Sequence, residues 1–347
     1  MKKIFLAALV AVFGCVNQIF AQNQLATLFH DGDIKTFYGI GALKEAHYNA
    51  VNGDVITLSS GLFSSTDITK AITIRGAGMQ HDSIAKIEPT ILSGDFNISI
   101  NNDSTFKGNS LTMEGIYHNA QGKVRLNTAV HNAQFVKCRF YEIGMSKNTS
   151  VIGNSLRNSS FIHCIISQQL YLEESASVSC VNSFIRSPYK NVSSSYESST
   201  SLECRNCVIQ TYTYIPTYSI FRDCIIYANS YSIPSTSNAY YCIGAGYSYL
   251  FSSVNSLTNK YVTNISEIFK TWDGKNNISS LETENLELTD VAKTKYLGHD
   301  GTQVGIYGGS IPFSTRPSNP QITKLNVASK STPDGKLSVD IEVKAAE

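Results

Sequence analysis

The chain has 347 residues, only 16% of them charged, and a formal net charge of +1 at pH 7. No long basic run and no heptad pattern occurs, which speaks against a nucleic-acid partner and against a coiled coil. Sparse charge with abundant Ser, Asn, Thr and Tyr points to a β-rich extracellular chain rather than a helical cytosolic enzyme.

The first element is a targeting segment, residues 1–21. Lys2 and Lys3 form a basic n-region, residues 4–13 (IFLAALVAVF) an apolar h-region, and Ala21 a small residue at the cleavage point. A competing reading makes Cys15 a lipoprotein cysteine after Val12-Phe13-Gly14, a motif that the bulky Phe13 weakens. The apolar run is short for a bilayer span, and no later segment approaches the length needed. The expected location is therefore secreted, periplasmic or outer cell surface. Losing Lys2 and Lys3 takes the net charge from +1 to −1, too near neutrality to steer a charged ligand. Seven cysteines remain after Cys15, an odd number, so a monomer keeps at least one free thiol.

Residues 38–51 (YGIGALKEAHYNAV) carry an apolar stripe at helical spacing, Ala42, Leu43, Ala46, Ala50 and Val51. A single amphipathic helix there suits a cap on an open sheet edge. Short alternating strands follow, VITL from Val55 and ITIR from Ile72, and continue to about residue 250. Between 135 and 242 six segments align: FVKCRFY, FIHCIIS, CVNSFIR, CRNCVIQ, FRDCIIY and AYYCIGA. Their shared column is Cys138, Cys164, Ser183, Cys207, Cys224 and Cys242, and three residues earlier runs Phe135, Phe161, Cys180, Cys204, Phe221 and Ala239. Such spacing marks a solenoid, with about a dozen coils of ~20–25 residues expected between 52 and 308.

The residue before each column cysteine is Lys137, His163, Asn182, Asn206, Asp223 or Tyr241. Asn and Asp tolerate a left-handed backbone, so a bend is expected there, with the cysteine and the residue two further on facing inward. Phe140, Ile166, Ile185, Ile209 and Ile226 hold that second position, and Gly244 breaks the series. The Gly-punctuated stretch 300–309 is expected to be a last coil. Pro312, Pro317 and Pro320 mark a linker, and residues 321–327 and 337–343 around Thr332-Pro333-Asp334-Gly335 read as a hairpin. The expected organisation is thus a signal peptide 1–21, a capped solenoid 22–311 and a tail 312–347.

ALKEA, NGDVITLSSGLF and KAITIRGAG between Ala42 and Gly78, with the F-x-N-C-x-I type repeat, resemble the pectate-lyase-like superfamily of right-handed parallel β-helix proteins. DGTQVGIYGG and the Pro-linked tail resemble secreted β-helix proteins of the Bacteroidetes. The resemblance implies an all-β, single-stranded right-handed parallel β-helix. It implies less about activity, since that superfamily includes lyases, hydrolases, esterases and noncatalytic adhesins. Its lyases hold calcium on carboxylates with an arginine or lysine as base, and its hydrolases cluster aspartates; neither set is found in this sequence.

The individual candidates read mostly as structure. Asp31-Gly32-Asp33 resembles part of a calcium loop, although a lone DxD is common in turns. Asp223 and His163 fall in the bend column, and Cys204-x-x-Cys207 falls in core columns, so turn and packing roles are expected. Arg75 and Asp300 sit in Gly-rich turns. Glu173 and Glu174 are adjacent, and on a strand would point to opposite faces. Tyrosine stands out: eleven of 19 lie between 189 and 249. Aromatic rings with polar tips suit sugars, so Tyr189, Tyr196, Tyr212, Tyr214, Tyr218 and Tyr231 are expected to form a glycan-binding strip on outer loops. The expected function is a monomeric, noncatalytic glycan-binding or surface-interaction module needing no cofactor. The alternative is a lyase or hydrolase acting on an acidic polysaccharide.

Overall fold

The computed structural model describes residues 24–83, 87–100, 111–119, 121–146, 154–173, 175–190, 200–254, 257–274, 286–316, 321–327, 330–332 and 334–344. The chain is all-β with long parallel sheets. It passes alternately between two of them, giving a strand to each: Val55–Leu58 then Gly61–Ser64, and so on to Asn238–Tyr240 then Ile243–Gly246, with Phe96–Ile98, Lys123–Leu126 and Pro188–Lys190 added to the second. This alternation is compatible with a β-helix. Among the described residues nine such passages occur, fewer than a dozen, because residues 263–274 and 286–313 leave the sheets.

The aligned repeat coincides with the strand register. In the first sheet Ile56, Ile74, Met113, Phe135, Phe161, Cys180, Cys204, Phe221 and Ala239 are successive partners, all essentially without solvent exposure. In the second, Phe140, Ile166, Ile185, Ile209, Ile226 and Gly244 do the same. Phe135 stacks on Phe161 at 4.8 Å, with Phe140 edge-on to both. Gly244 breaks the series because the Phe251 ring and Leu250 occupy the space a side chain would need, closing that end of the core. All six bend residues have positive φ, from 44° at Asn182 to 56° at Asp223.

The cysteine ladder (Cys138, Cys164, Cys207, Cys224 and Cys242) is buried and unbridged, with a second chemical role beyond packing. Cys207 Sγ donates to the carbonyls of Arg205 and, one passage back, Cys180. Cys164 and Cys224 repeat the pattern, and Ser183 uses its hydroxyl identically toward Val181 and Phe161. The column therefore selects a small side chain with a donor, which adds a second bond to bend carbonyls that already accept backbone N–H groups, as Arg205 does from Asn182 and Ile162 from Lys137. Burial pushes the Cys138 thiol up to about 12, and Cys164 and Cys242 well above the ordinary range, so they stay protonated and unreactive. Cys207→Ser should cost under about 1 kcal/mol, whereas Cys207→Val, overfilled and without a donor, should cost about 1–3 kcal/mol. Urea denaturation of the two variants checks the ordering.

The capping helix α1 spans Ala42–Asn49, shorter than the 38–51 stripe because Gly39 and Gly41 turn the chain first. It buries Ala42, Leu43 and Ala46, and Lys70 Nζ caps its C-terminus by donating to the carbonyls of His47, Tyr48 and Ala50. Ahead of it, Leu25–His30 and Asp33–Tyr38 form an antiparallel hairpin on the first sheet. Asp31 and Gly32 both have positive φ there, so Asp31-Gly32-Asp33 belongs to a tight turn. Gln321–Val327 and Val339–Lys344 pair as the expected antiparallel hairpin.

One expectation requires correction. Residues 300–309 are not a coil: they belong to neither parallel sheet and run along the outside of the bend column. His299 contacts Asp223, Asn182 Nδ2 donates to the carbonyls of Ile306 and Gly308, His163 Nε2 bonds the Ile311 carbonyl, and Gln80 reaches Thr315. This strap runs back toward the earlier passages. The outer face of the second sheet is also no surface. Ile165, Phe184, Val208, Ile225 and Ile243 point outward into a second apolar core made with Phe269, Trp272, Leu288, Ile306 and Phe313.

Candidate functional site

With the second sheet covered, the outer face of the first sheet is the open one. Its outward column places Ser160, Ser179, Glu203 and Ile220 on successive strands, with Ser177 opposite Ser201 beside them. Together with Asn158 and Tyr218 they line a shallow groove of about 350 Å³. Short side chains make the floor because each serine sits outward, one position before an inward core residue, where nothing packs against it. Tyr218 stands at the wall, 43% exposed, with a left-handed backbone (φ 56°) that aims it as the chain enters strand Ser219–Arg222. Glu203 is held in place by Arg205, whose Nη2 and Nε both lie 2.8 Å from Oε1. The groove offers hydroxyls at the strand repeat of ~4.8 Å, one carboxylate, one amide and one ring face.

The predicted tyrosines do not form one strip. Tyr214 and Tyr231 pack at 4.0 Å between ring centroids, with Tyr214 largely exposed. Tyr212 is tied down separately: its hydroxyl accepts from Gln210 at 2.7 Å, and Arg186 lies over its ring. Tyr189 lies beside Tyr171 on Pro188–Lys190, a strand pairing with the far end of Ile165–Leu172. Tyr218 alone reaches the groove, and Tyr196 lies outside the described residues. The strip breaks because these loops differ in length, so equal positions in sequence do not share a face.

Asp223 and His163 act as bend residues and as strap anchors. Asp223 is buried, and its carboxylate accepts from the His299 backbone N–H at 2.8 Å and from the His299 ring. His299 had no signal in the repeat, since it comes from the strap. Arg75 lies 3.6 Å from the Glu114 carboxylate across neighbouring strands, and Asp300 caps its own turn through Thr302. Burial raises the Glu173 carboxyl above its usual range; Glu174 lies outside the described residues. Among the described residues no three His, Cys, Asp or Glu side chains gather as a metal cluster. The serine column was readable one position to the left of the aligned repeat, as Gln134, Ser160, Ser179, Glu203, Ile220 and Asn238.

No protein-family model matches the chain, and neither do any of the curated proteins or solved structures searched.

Proposed function

We propose that this chain is an exported right-handed parallel β-helix of pectate-lyase-like type that binds a glycan without cleaving it. The hand follows from the strong preference of parallel strand crossovers for right-handed connections. One observation carries the binding reading: the open groove on the first sheet combines a hydroxyl-lined floor with the exposed ring of Tyr218. Sugars present apolar ring faces and hydroxyl edges, and this floor and wall are complementary to both. A row of hydroxyls along the sheet suits an extended chain of sugar units lying across the strands. The expected partner is therefore a polysaccharide, and the expected setting is the cell surface or the space outside it.

Binding to a panel of immobilised polysaccharides tests this. Tyr218→Ala should weaken retention about tenfold, as expected for loss of one stacked ring. Tyr214→Ala, away from the groove, should leave it unchanged. Equal retention by Tyr218→Ala and the unaltered chain removes the groove as the site. Shortened or unsaturated sugar products replace the binding reading with an enzymatic one.

A further inference from the structure

We propose that two copies of this chain pair along the open edge of the first sheet, strand Asp33–Tyr38 against its own twin, as a two-fold dimer. That strand is terminal in the sheet, and five of its six residues are exposed. Two other sheet ends are closed. At the far end of the first sheet Asn259 donates to the Ala239 carbonyl and accepts from the Cys242 N–H. The second sheet starts at Gly61–Ser64, where the Ser64 N–H donates to the Ile40 carbonyl.

Bonding alternates along the N-terminal hairpin. The Gly39 N–H donates to the Gln24 carbonyl, so Asp33, Lys35 and Phe37 turn their backbone groups toward Leu25–His30, while Ile34, Thr36 and Tyr38 turn theirs to the edge. Among the described residues no backbone bond satisfies the edge groups of Ile34 and Thr36. An open row of this kind is a template for another strand.

Charge selects both the partner and the register. A two-fold antiparallel pair must bring edge groups together, with its axis on one of the residues from Ile34 to Phe37. An axis on Lys35 sets that lysine opposite its twin, and axes on Thr36 or Phe37 set Asp33 and Lys35 against uncharged residues. An axis on Ile34 sets Asp33 of each copy opposite Lys35 of the other, twice over. Ile34 then meets its twin. Phe29 is the partner of Ile34 on the neighbouring strand, so a row of Phe29, Ile34, Ile34 and Phe29 crosses the axis. Ile34 is 63% exposed and Phe29 41% exposed in the single chain, an apolar surface that this row covers. Charges on an edge strand guard it against indiscriminate pairing. Here their order is self-complementary, so they admit a second copy. Antiparallel pairing keeps both outer faces on one side. On the glycan reading above, the dimer thus presents two grooves to a single polymer.

Sedimentation equilibrium over a concentration series tests the pairing. Strand-sized contacts are small, so a reversible dimer with a Kd on the order of micromolar is expected. Asp33→Lys and Lys35→Asp should each weaken it at least about tenfold by setting like charges opposite each other. The double swap Asp33→Lys/Lys35→Asp should restore it, and an equimolar mixture of the two single variants should form heterodimers. Circular dichroism melting checks that each variant folds; if Asp33→Lys does not, Ile34→Glu, which sets two carboxylates on the axis, gives the reading. Tyr218→Ala should dimerise as the unaltered chain does, so failure of the groove and failure of this interface are told apart. A monomer at every concentration into the high micromolar range, a dimer indifferent to Ile34→Glu, or single swaps that the double swap does not rescue overturns the proposal.

Discussion

Trp272→Ala should destabilise the protein by about 3–5 kcal/mol, the cost of emptying a large aromatic site in a core. The side chain is 2% exposed and meets Phe269 at 5.1 Å, Phe184 at 5.9 Å and Tyr227 at 6.2 Å between ring centres. Phe184 and Tyr227 belong to the second sheet, whereas Phe269 and Trp272 belong to the segment covering it. The substitution therefore acts on the joint between the sheet and its cover, not on the inner stack. Limited proteolysis should cut first within 263–313, while the passages between 134 and 246 stay protected. A loss under about 1 kcal/mol by urea titration, with unchanged proteolysis, would show that the cover contributes little.

Acidification should destabilise the fold from about pH 6.5 downward, through buried histidines. Burial lowers His47 from 6.5 to about 4 and also lowers His118 and His163. His47 Nε2 accepts from the Thr69 N–H, a bond that protonation abolishes, and the Lys70 ammonium stands close by. His118 lies in the inner column between Leu92 and Phe140, donating to the Gly94 carbonyl through Nε2, with Nδ1 unpartnered. Each of these groups binds its proton more weakly folded than unfolded. Their contribution is therefore complete above about pH 6.5 and is lost as pH falls from there toward the folded values. For His47 alone this amounts to roughly 2–3 kcal/mol after solvent screening. His30, raised by its hydrogen bond to Asp54, works in the opposite sense but is partly exposed. The melting temperature should fall between about pH 6.5 and 4.5. His47→Gln, which keeps an acceptor for Thr69, should flatten that slope; an unchanged slope in this variant removes His47 as its source.

The inner architecture was legible in the sequence because one chemical demand recurs once per passage. Each bend needs a left-handed residue, and each inner column an apolar one, so the segments from Phe135 to Ala245 align without gaps. The second core leaves an equally plain mark in the sequence, outside the inward columns. Cys-Ile-Ile, Ser-Phe-Ile, Cys-Val-Ile and Cys-Ile-Ile put two apolar residues in succession, and on a strand the second faces away from the first. Both faces of that sheet are therefore buried. The strap escaped because its bonds use carbonyls of Ile306, Gly308 and Ile311, and a backbone acceptor leaves no mark in sequence. The groove escaped for a related reason: small serines become a floor only when the neighbouring strands are known. The tyrosines are numerous there, but among the described ones predicted for the strip, burial and loop length separate all but Tyr218 from the open face.

The strap also bears on the order in which the molecule completes itself. A chain emerging N-terminus first, from a ribosome or through a membrane pore, can stack each passage on the one before it, since every contact in the ladder is with a neighbour. His299, Ile306 and Ile311 arrive after all the passages they fasten. Until then the bend side chains, and the part of the second sheet's outer face that Val304, Ile306 and Phe313 cover, stand open to solvent. Vectorial growth thus ends in a closing step that travels backward, and a chain truncated before residue 298 should retain its rungs while leaving that flank sticky to other chains.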